Sequence, residues 1–89
     1  MPELSRFLGI VITMYPEAGE RHRTAHFHAR YGEHRATLSI ATGDVLAGSL
    51  PTPQLRLVQA WVELRREQLE TNWQLLLAGR PPAKIAPLG

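Results

Sequence analysis

The first half of the chain alternates apolar and polar positions with the period of a β-strand. From Ala25 to Tyr31 the small and aromatic residues fall on one face and the polar residues on the other. Gly32-Glu33 is typical of a tight turn, and Arg35 to Ile40 then alternates again, with its apolar positions on one side. This pattern predicts a β-hairpin with one apolar face.

Two further strands are expected on either side of this hairpin. Phe7 to Tyr15 is a continuous apolar stretch rich in β-branched residues and ended by Pro16, which indicates one strand covered on part of both faces. Thr42-Gly43-Asp44 is a turn sequence, and Val45 to Leu50 is read as a shorter fourth strand. We therefore predict an antiparallel meander of three to four strands over about residues 7–50.

The second half changes to a helical period. Thr52 is a candidate cap, Pro53 suits the first helical turn, and Gly79 is followed by two prolines, so the pattern predicts one long helix over about residues 53–78. At 100° per residue its large apolar side chains form two stripes. The first contains Leu55, Val58, Val62, Leu69, Trp73, Leu76 and Leu77, and the second Leu57, Trp61, Leu64 and Leu75.

An apolar arc of this width is more than one small sheet can cover. Either the helix breaks near Arg65 to Gln68 and folds back, or a second protein covers the second stripe. We favour the second protein, with Leu57, Trp61 and Leu64 at the interface of a homodimer or of a complex with a small cognate protein.

These elements define a single α+β domain over residues 1–89, with a loosely held tail at 80–89. No apolar run is long enough for a transmembrane helix, and the Met-Pro-Glu-Leu-Ser start lacks the pattern of a signal peptide. We therefore expect a cytoplasmic protein with no membrane partner. The chain has no cysteine, so a metal site would need histidine and carboxylate ligands.

The formal net charge is only +2, but the basic residues are unevenly distributed. Between residues 21 and 35 lie four arginines, all four histidines and one acid. Arginine side chains in such a cluster can contact phosphates, which makes RNA or DNA a candidate partner. The candidate nucleic-acid-binding residues are Arg21, Arg23, Arg30 and Arg35.

The histidines allow three interpretations. His26 and His28 lie two apart on a strand, so their Cα atoms are about 6.6 to 7 Å apart on one face, and with His22 they could bind zinc, nickel or copper. Alternatively, His26, His28 and Arg30 could perform acid–base catalysis in a ribonuclease. The third interpretation is structural, with the imidazoles hydrogen-bonded to nearby carbonyls. No motif for an organic cofactor is present.

Three segments of the chain resemble a known family. They are Ser-Arg-Phe-Leu-Gly-Ile-Val-Ile-Thr-Met-Tyr (5–15), His-Arg-Thr-Ala-His-Phe-His-Ala-Arg-Tyr-Gly (22–32) and Ser-Ile-Ala-Thr-Gly-Asp-Val-Leu-Ala-Gly-Ser-Leu-Pro (39–51), and the likeness continues through Trp61 and Asn72-Trp73. Together they resemble the bacterial family Domain of Unknown Function 4160. In that family the histidine segment commonly reads His-x-Pro-Pro-His-Phe-His, whereas this chain has Thr24-Ala25 in place of the prolines.

The resemblance implies a function through a partner. Members of the family are small prokaryotic proteins, often encoded beside a second small uncharacterised domain in pairs suspected of being toxin–antitoxin modules. We therefore expect a protein-interaction component of such a pair. A histidine-dependent ribonuclease, with or without metal, and a nucleic-acid-binding regulator are the alternatives.

Overall fold

The fold is α+β, a five-stranded antiparallel sheet followed by one long helix. A computed structural model describes residues 3–15 and 24–89. The elements are β1 (Glu3–Phe7), β2 (Ile10–Thr13), β3 (His26–Tyr31), β4 (His34–Ser39), β5 (Val45–Ser49) and α1 (Thr52–Leu77). Each strand pairs with the next in the chain, so the sheet order is β1-β2-β3-β4-β5. The expected meander and C-terminal helix are confirmed, with one strand more than predicted.

The central hairpin has the predicted faces. Phe27 on β3 lies opposite Leu38 on β4, and Ala29 lies opposite Ala36. All four side chains are buried. Because alternate residues of a strand point to opposite sides, the residues between them form the other face of the sheet.

The single first strand predicted over Phe7 to Tyr15 is wrong. The chain turns at Leu8 and Gly9, whose φ angles are +50° and +80°, and residues on either side pair as β1 and β2. Positive φ at both central residues matches the right-handed twist of a hairpin, and glycine adopts it easily. Leucine rarely adopts positive φ, so the apolar stretch gave no indication of a turn here.

Helix α1 starts at Thr52, with Pro51 as the residue before it and no side-chain hydrogen bond capping its first turn. The expected cap by Thr52 is therefore absent. Arg65 has φ −119° and ψ 15°, which places a kink where the sequence suggested a break. Next to it, Arg66 Nε donates a hydrogen bond of 3.0 Å to the carbonyl oxygen of Ile40. In the described ranges, α1 is not apolar enough over its length to cross a membrane.

Trp61 lies in the centre of the core. Its ring centroid is 5.6 Å from that of Phe7 and 5.8 Å from that of Phe27, and its side chain is fully buried. Its indole N–H donates to the carbonyl oxygen of Ala86 at 2.9 Å. Trp61 therefore lies inside the domain and not on the surface that we expected to meet a partner. Leu57 is half-buried, and Leu64 is 64% exposed.

Residues 80–89 form a C-terminal strap that packs back on the domain. The Asn72 side-chain amide donates to the carbonyl oxygen of Ala83 at 2.8 Å and accepts from its N–H at 2.9 Å. The N–H of Ile85 donates to the carbonyl oxygen of Leu4 on β1 at 2.8 Å. The loosely held tail that the sequence suggested is therefore tied to both the helix and the first strand.

Candidate functional site: the helix-free face of the sheet

The sheet has one face covered by α1 and one that no described element covers. We call the second the helix-free face. Two rows of side chains cross it, since Val11, Arg30, Arg35 and Ser49 are successive register partners, as are Thr13, His28, Thr37 and Ala47. The predicted alternation of β3 thus places His28 and Arg30 away from the core.

A concavity of about 300 Å³ lies on the helix-free face. It is lined mainly by Thr13, Tyr15, His28, Arg30, Arg35, Thr37 and Ala47. Gly48 also lines it, at φ +75°, and a Cβ atom there would collide with the backbone carbonyl oxygen of Arg35. Only glycine permits this close approach of β5 to β4, so Gly48 shapes this side of the concavity.

His28 is held between two side chains of the helix-free face. Its ring stacks on that of Tyr15, with centroids 4.4 Å apart and planes 9° apart. The Thr37 hydroxyl oxygen lies 3.2 Å from His28 Nδ1. The imidazole is half-buried, and the two contacts fix the plane of a ring that borders the concavity.

His26 has a different environment although it lies only two residues away. Its side chain is 4% exposed, and its ring centroid is 4.9 Å from that of Trp73 on α1. His26 Nδ1 lies 2.9 Å from the carbonyl oxygen of Thr24. Because a carbonyl oxygen only accepts hydrogen bonds, Nδ1 is the donor in this contact.

The predicted catalytic and metal-binding sets are only partly brought together. The rings of His26 and His28 are 5.4 Å apart and perpendicular, while His22 lies outside the described residues. Over 3–15 and 24–89, no three histidine or acidic side chains are grouped as metal ligands, so the three-histidine site stays a prediction. His28 and Arg30 share the concavity, whereas His26 is buried against Trp73.

The arginines of the helix-free face differ in how their charge is balanced. Arg6 makes a 2.8 Å ion pair with Glu3, and this hydrogen bond lowers the pKa of the Glu3 carboxyl and raises the pKa of the Arg6 guanidinium. Arg30 and Arg35 are exposed register partners, and neither makes a hydrogen bond or ion pair to another described residue. Of the candidate nucleic-acid-binding residues, Arg21 and Arg23 lie outside the described residues.

Three residues of this site were not singled out from the sequence. Tyr15 and Thr37 position His28, and Gly48 shapes the concavity. Alternation across β2 could have identified Tyr15, because it shares a parity with Val11 and Thr13. Thr37 could have been found as the register partner of His28 once the hairpin turn was fixed.

The comparison with known families confirms the resemblance that the sequence segments indicated. Residues 9–74 match the family described as Domain of unknown function (DUF4160), which covers most of the chain. The chain belongs to this family. No curated protein and no solved structure matches it.

Proposed function

We propose that this chain is the interaction component of a toxin–antitoxin-like pair and that its small cognate protein partner binds by adding a strand to β5. One observation carries the proposal. Strand β5 lies at the edge of the sheet, and all five of its residues are exposed, including the apolar side chains of Val45 and Leu46. An edge strand offers a row of unpaired backbone groups to another chain.

The sequence of β5 supports this role. Natural proteins protect edge strands with charges, proline or bulges. Val-Leu-Ala-Gly-Ser contains no charge or proline, and its one irregularity is a register shift between Val45 and Ala47. The opposite edge, β1, receives a hydrogen bond from the N–H of Ile85 in the C-terminal strap. The two edges therefore differ, since one is partly covered by this chain and the other is left for a partner.

The partner expected at β5 is a protein with an exposed, extended apolar segment, encountered in the cytoplasm. Backbone hydrogen bonds would supply much of the affinity, and pockets for alternate side chains would supply specificity. A second copy of this chain is the competing occupant, because β5 carries no charge that would oppose self-pairing. We propose the cognate protein as the occupant of β5, and the experiment distinguishes it from a second copy of this chain.

The test compares two exposed leucines with the same substitution. Leu46→Lys adds a charge to the β5 edge, and Leu64→Lys adds one to the helix stripe that the sequence favoured as an interface. Each variant is mixed with the purified small protein encoded beside this chain, and binding is measured by calorimetry.

We expect Leu46→Lys to abolish the complex and Leu64→Lys to leave it intact. The reverse result would move the interface to α1 and contradict the proposal. If the wild-type chain sediments as a dimer that Leu46→Lys dissociates, and the cognate protein does not bind, then β5 serves self-association and the proposed pairing is wrong.

A further inference from the structure

The helix-free face carries a pair of like charges placed opposite one another. Arg30 on β3 and Arg35 on β4 are register partners, and both side chains are exposed. Like charges directly opposite one another in an antiparallel pair are unfavourable. The sheet keeps this pair at a cost in stability, and an anion bound between the two guanidinium groups would remove the repulsion.

One acid whose charge interacts with Arg30 is already engaged. Glu3 feels the charge of Arg30, but its two carboxylate oxygens accept hydrogen bonds from Arg6, at 2.8 and 3.4 Å. Arg6 is therefore balanced by its own neighbour. Within the described part of the chain, no acid makes an ion pair with Arg30 or Arg35.

The concavity lies between these arginines and the stacked rings of Tyr15 and His28. It has the properties of a site for a phosphate that carries a planar group. Arg30 and Arg35 line one part of it, and the stacked rings of Tyr15 and His28 line another. Guanidinium groups bind phosphate oxygens through several N–H donors. A basic groove beside aromatic rings is the arrangement that binds single-stranded nucleic acid, because every base has a face that can stack.

We infer that the helix-free face binds single-stranded nucleic acid, with a backbone phosphate between Arg30 and Arg35 and a base against the ring of Tyr15 or His28. This site is distinct from the β5 edge and goes beyond the proposed pairing, so either can fail alone. An acidic peptide would also satisfy the arginines, but it carries no planar group that could stack on the outer face of the Tyr15 ring. The rings therefore favour nucleic acid.

The experiment measures binding of a labelled oligouridylate to the full chain by fluorescence anisotropy across a salt series. The test variant is Arg30→Gln/Arg35→Gln. The control is a double variant of two exposed cations, Arg56→Gln on α1 and Arg80→Gln in the C-terminal strap, which removes the same charge away from this face. Polyglutamate and inorganic phosphate serve as competitors.

We expect the test variant to weaken binding about tenfold or more. The logarithmic salt dependence should flatten by about 0.7, as expected for the loss of one phosphate contact to a single strand. Equal weakening by the control variant would show that the affinity depends only on net charge, and would contradict a binding site at Arg30 and Arg35. Inorganic phosphate should compete weakly, because it fills only the arginine part of the site. Displacement of the oligonucleotide by polyglutamate at equal charge concentration would overturn nucleic acid as its ligand.

Thermal unfolding supplies a readout that does not depend on any ligand. If Arg30 and Arg35 are kept for binding, Arg35→Gln should raise the midpoint of unfolding, because it removes a repulsion between neighbours. Arg35→Lys retains the charge and should not raise it. A lower midpoint for Arg35→Gln, with no loss of oligonucleotide binding, would show that the pair is structural and contradict the inference.

Discussion

The two faces of the sheet are built from the same strands but have opposite chemistry. On the face covered by α1, Ile12, Phe27 and Leu38 are fully buried, and Trp61 packs against Phe27. On the helix-free face the corresponding positions carry arginine, histidine, threonine and tyrosine around a concavity. One set of side chains therefore provides the free energy of folding, while the other is available to bind.

This difference explains why one face tolerates unfavourable contacts. Burial of large apolar side chains contributes about 1.5–3 kcal/mol each, so the covered face can stabilise the domain without help from the other. The helix-free face can then retain two opposed arginines at a small cost. Substitutions on the two faces should accordingly affect different measurements.

The largest effect is expected at Trp61. Trp61→Ala removes a fully buried side chain that contacts both Phe7 and Phe27 and hydrogen-bonds to Ala86. We expect a loss of about 3–5 kcal/mol, which is a large share of the roughly 5–15 kcal/mol that stabilises a small domain. Urea unfolding followed by circular dichroism measures it.

The matched control for Trp61 is Leu64→Ala, on the same helix but 64% exposed. It should change the free energy of unfolding by less than about 0.5 kcal/mol. Similar losses for both variants would mean that α1 does not use Trp61 as its core side chain.

A smaller effect is expected at Asn72. Asn72→Ala leaves the N–H and carbonyl of Ala83 without the amide that binds both, so we expect a loss of about 1–3 kcal/mol. Because Asn72 attaches the C-terminal strap, hydrogen exchange at Ala83 and Ile85 should accelerate more than exchange in β3. The exposed Gln74→Ala is the control, and unchanged exchange in the strap would show that other contacts hold it.

The strap shows where sequence reasoning reached its limit. Alternation correctly predicted β3, β4 and their buried face, because hydrophobicity alternates with a period of two even in a short strand when one of its sides is exposed to solvent. The second apolar stripe of α1 was also a correct observation, but its central residue, Trp61, is covered by the same chain, while Leu64 stays exposed. A segment with three prolines and few large side chains gives little local indication that it will return and bind Trp61.

The candidate site was predictable to a similar extent. The sequence placed His28 and Arg30 on one face but also grouped His26 with them, and nothing local indicated that Trp73 would cover His26. Pairing of Arg30 with Arg35 follows from the Gly32-Glu33 turn, and Tyr15 shares a parity with Val11 and Thr13. Only the pairing of β2 with β3, which nothing local indicates, brings the ring of Tyr15 onto that of His28. Contacts between distant segments determine these features.

On the β5 edge, Leu46→Lys should leave stability nearly unchanged. Leu46 is 50% exposed, so its replacement should alter the free energy of unfolding by about 0.5 kcal/mol or less. Urea unfolding measures this beside the binding assay. A loss comparable with that of Trp61→Ala would place Leu46 in the folding core and remove β5 from the binding surface.

The smallest effect is expected from the Glu3–Arg6 pair. Its hydrogen bond lowers the pKa of Glu3 below the usual 4.5, so the folded chain holds this proton less tightly than the unfolded chain. The resulting stability is present above pH 4.5 and is lost as the pH falls through the folded-state pKa. An NMR titration of the Glu3 carboxyl should give a higher pKa in Arg6→Gln, and no change would show that the pair does not form.

The most direct test of the division between the two faces is an NMR titration of the full chain with oligouridylate, observed at side chains. The Nε–H signals of Arg30 and Arg35 and the ring signals of Tyr15 should shift together. The indole N–H of Trp61 and the Nε–H of Arg56 should not move. Shifts centred on Trp61 or Arg56, with Arg30 and Arg35 unchanged, would contradict a binding role for the helix-free face.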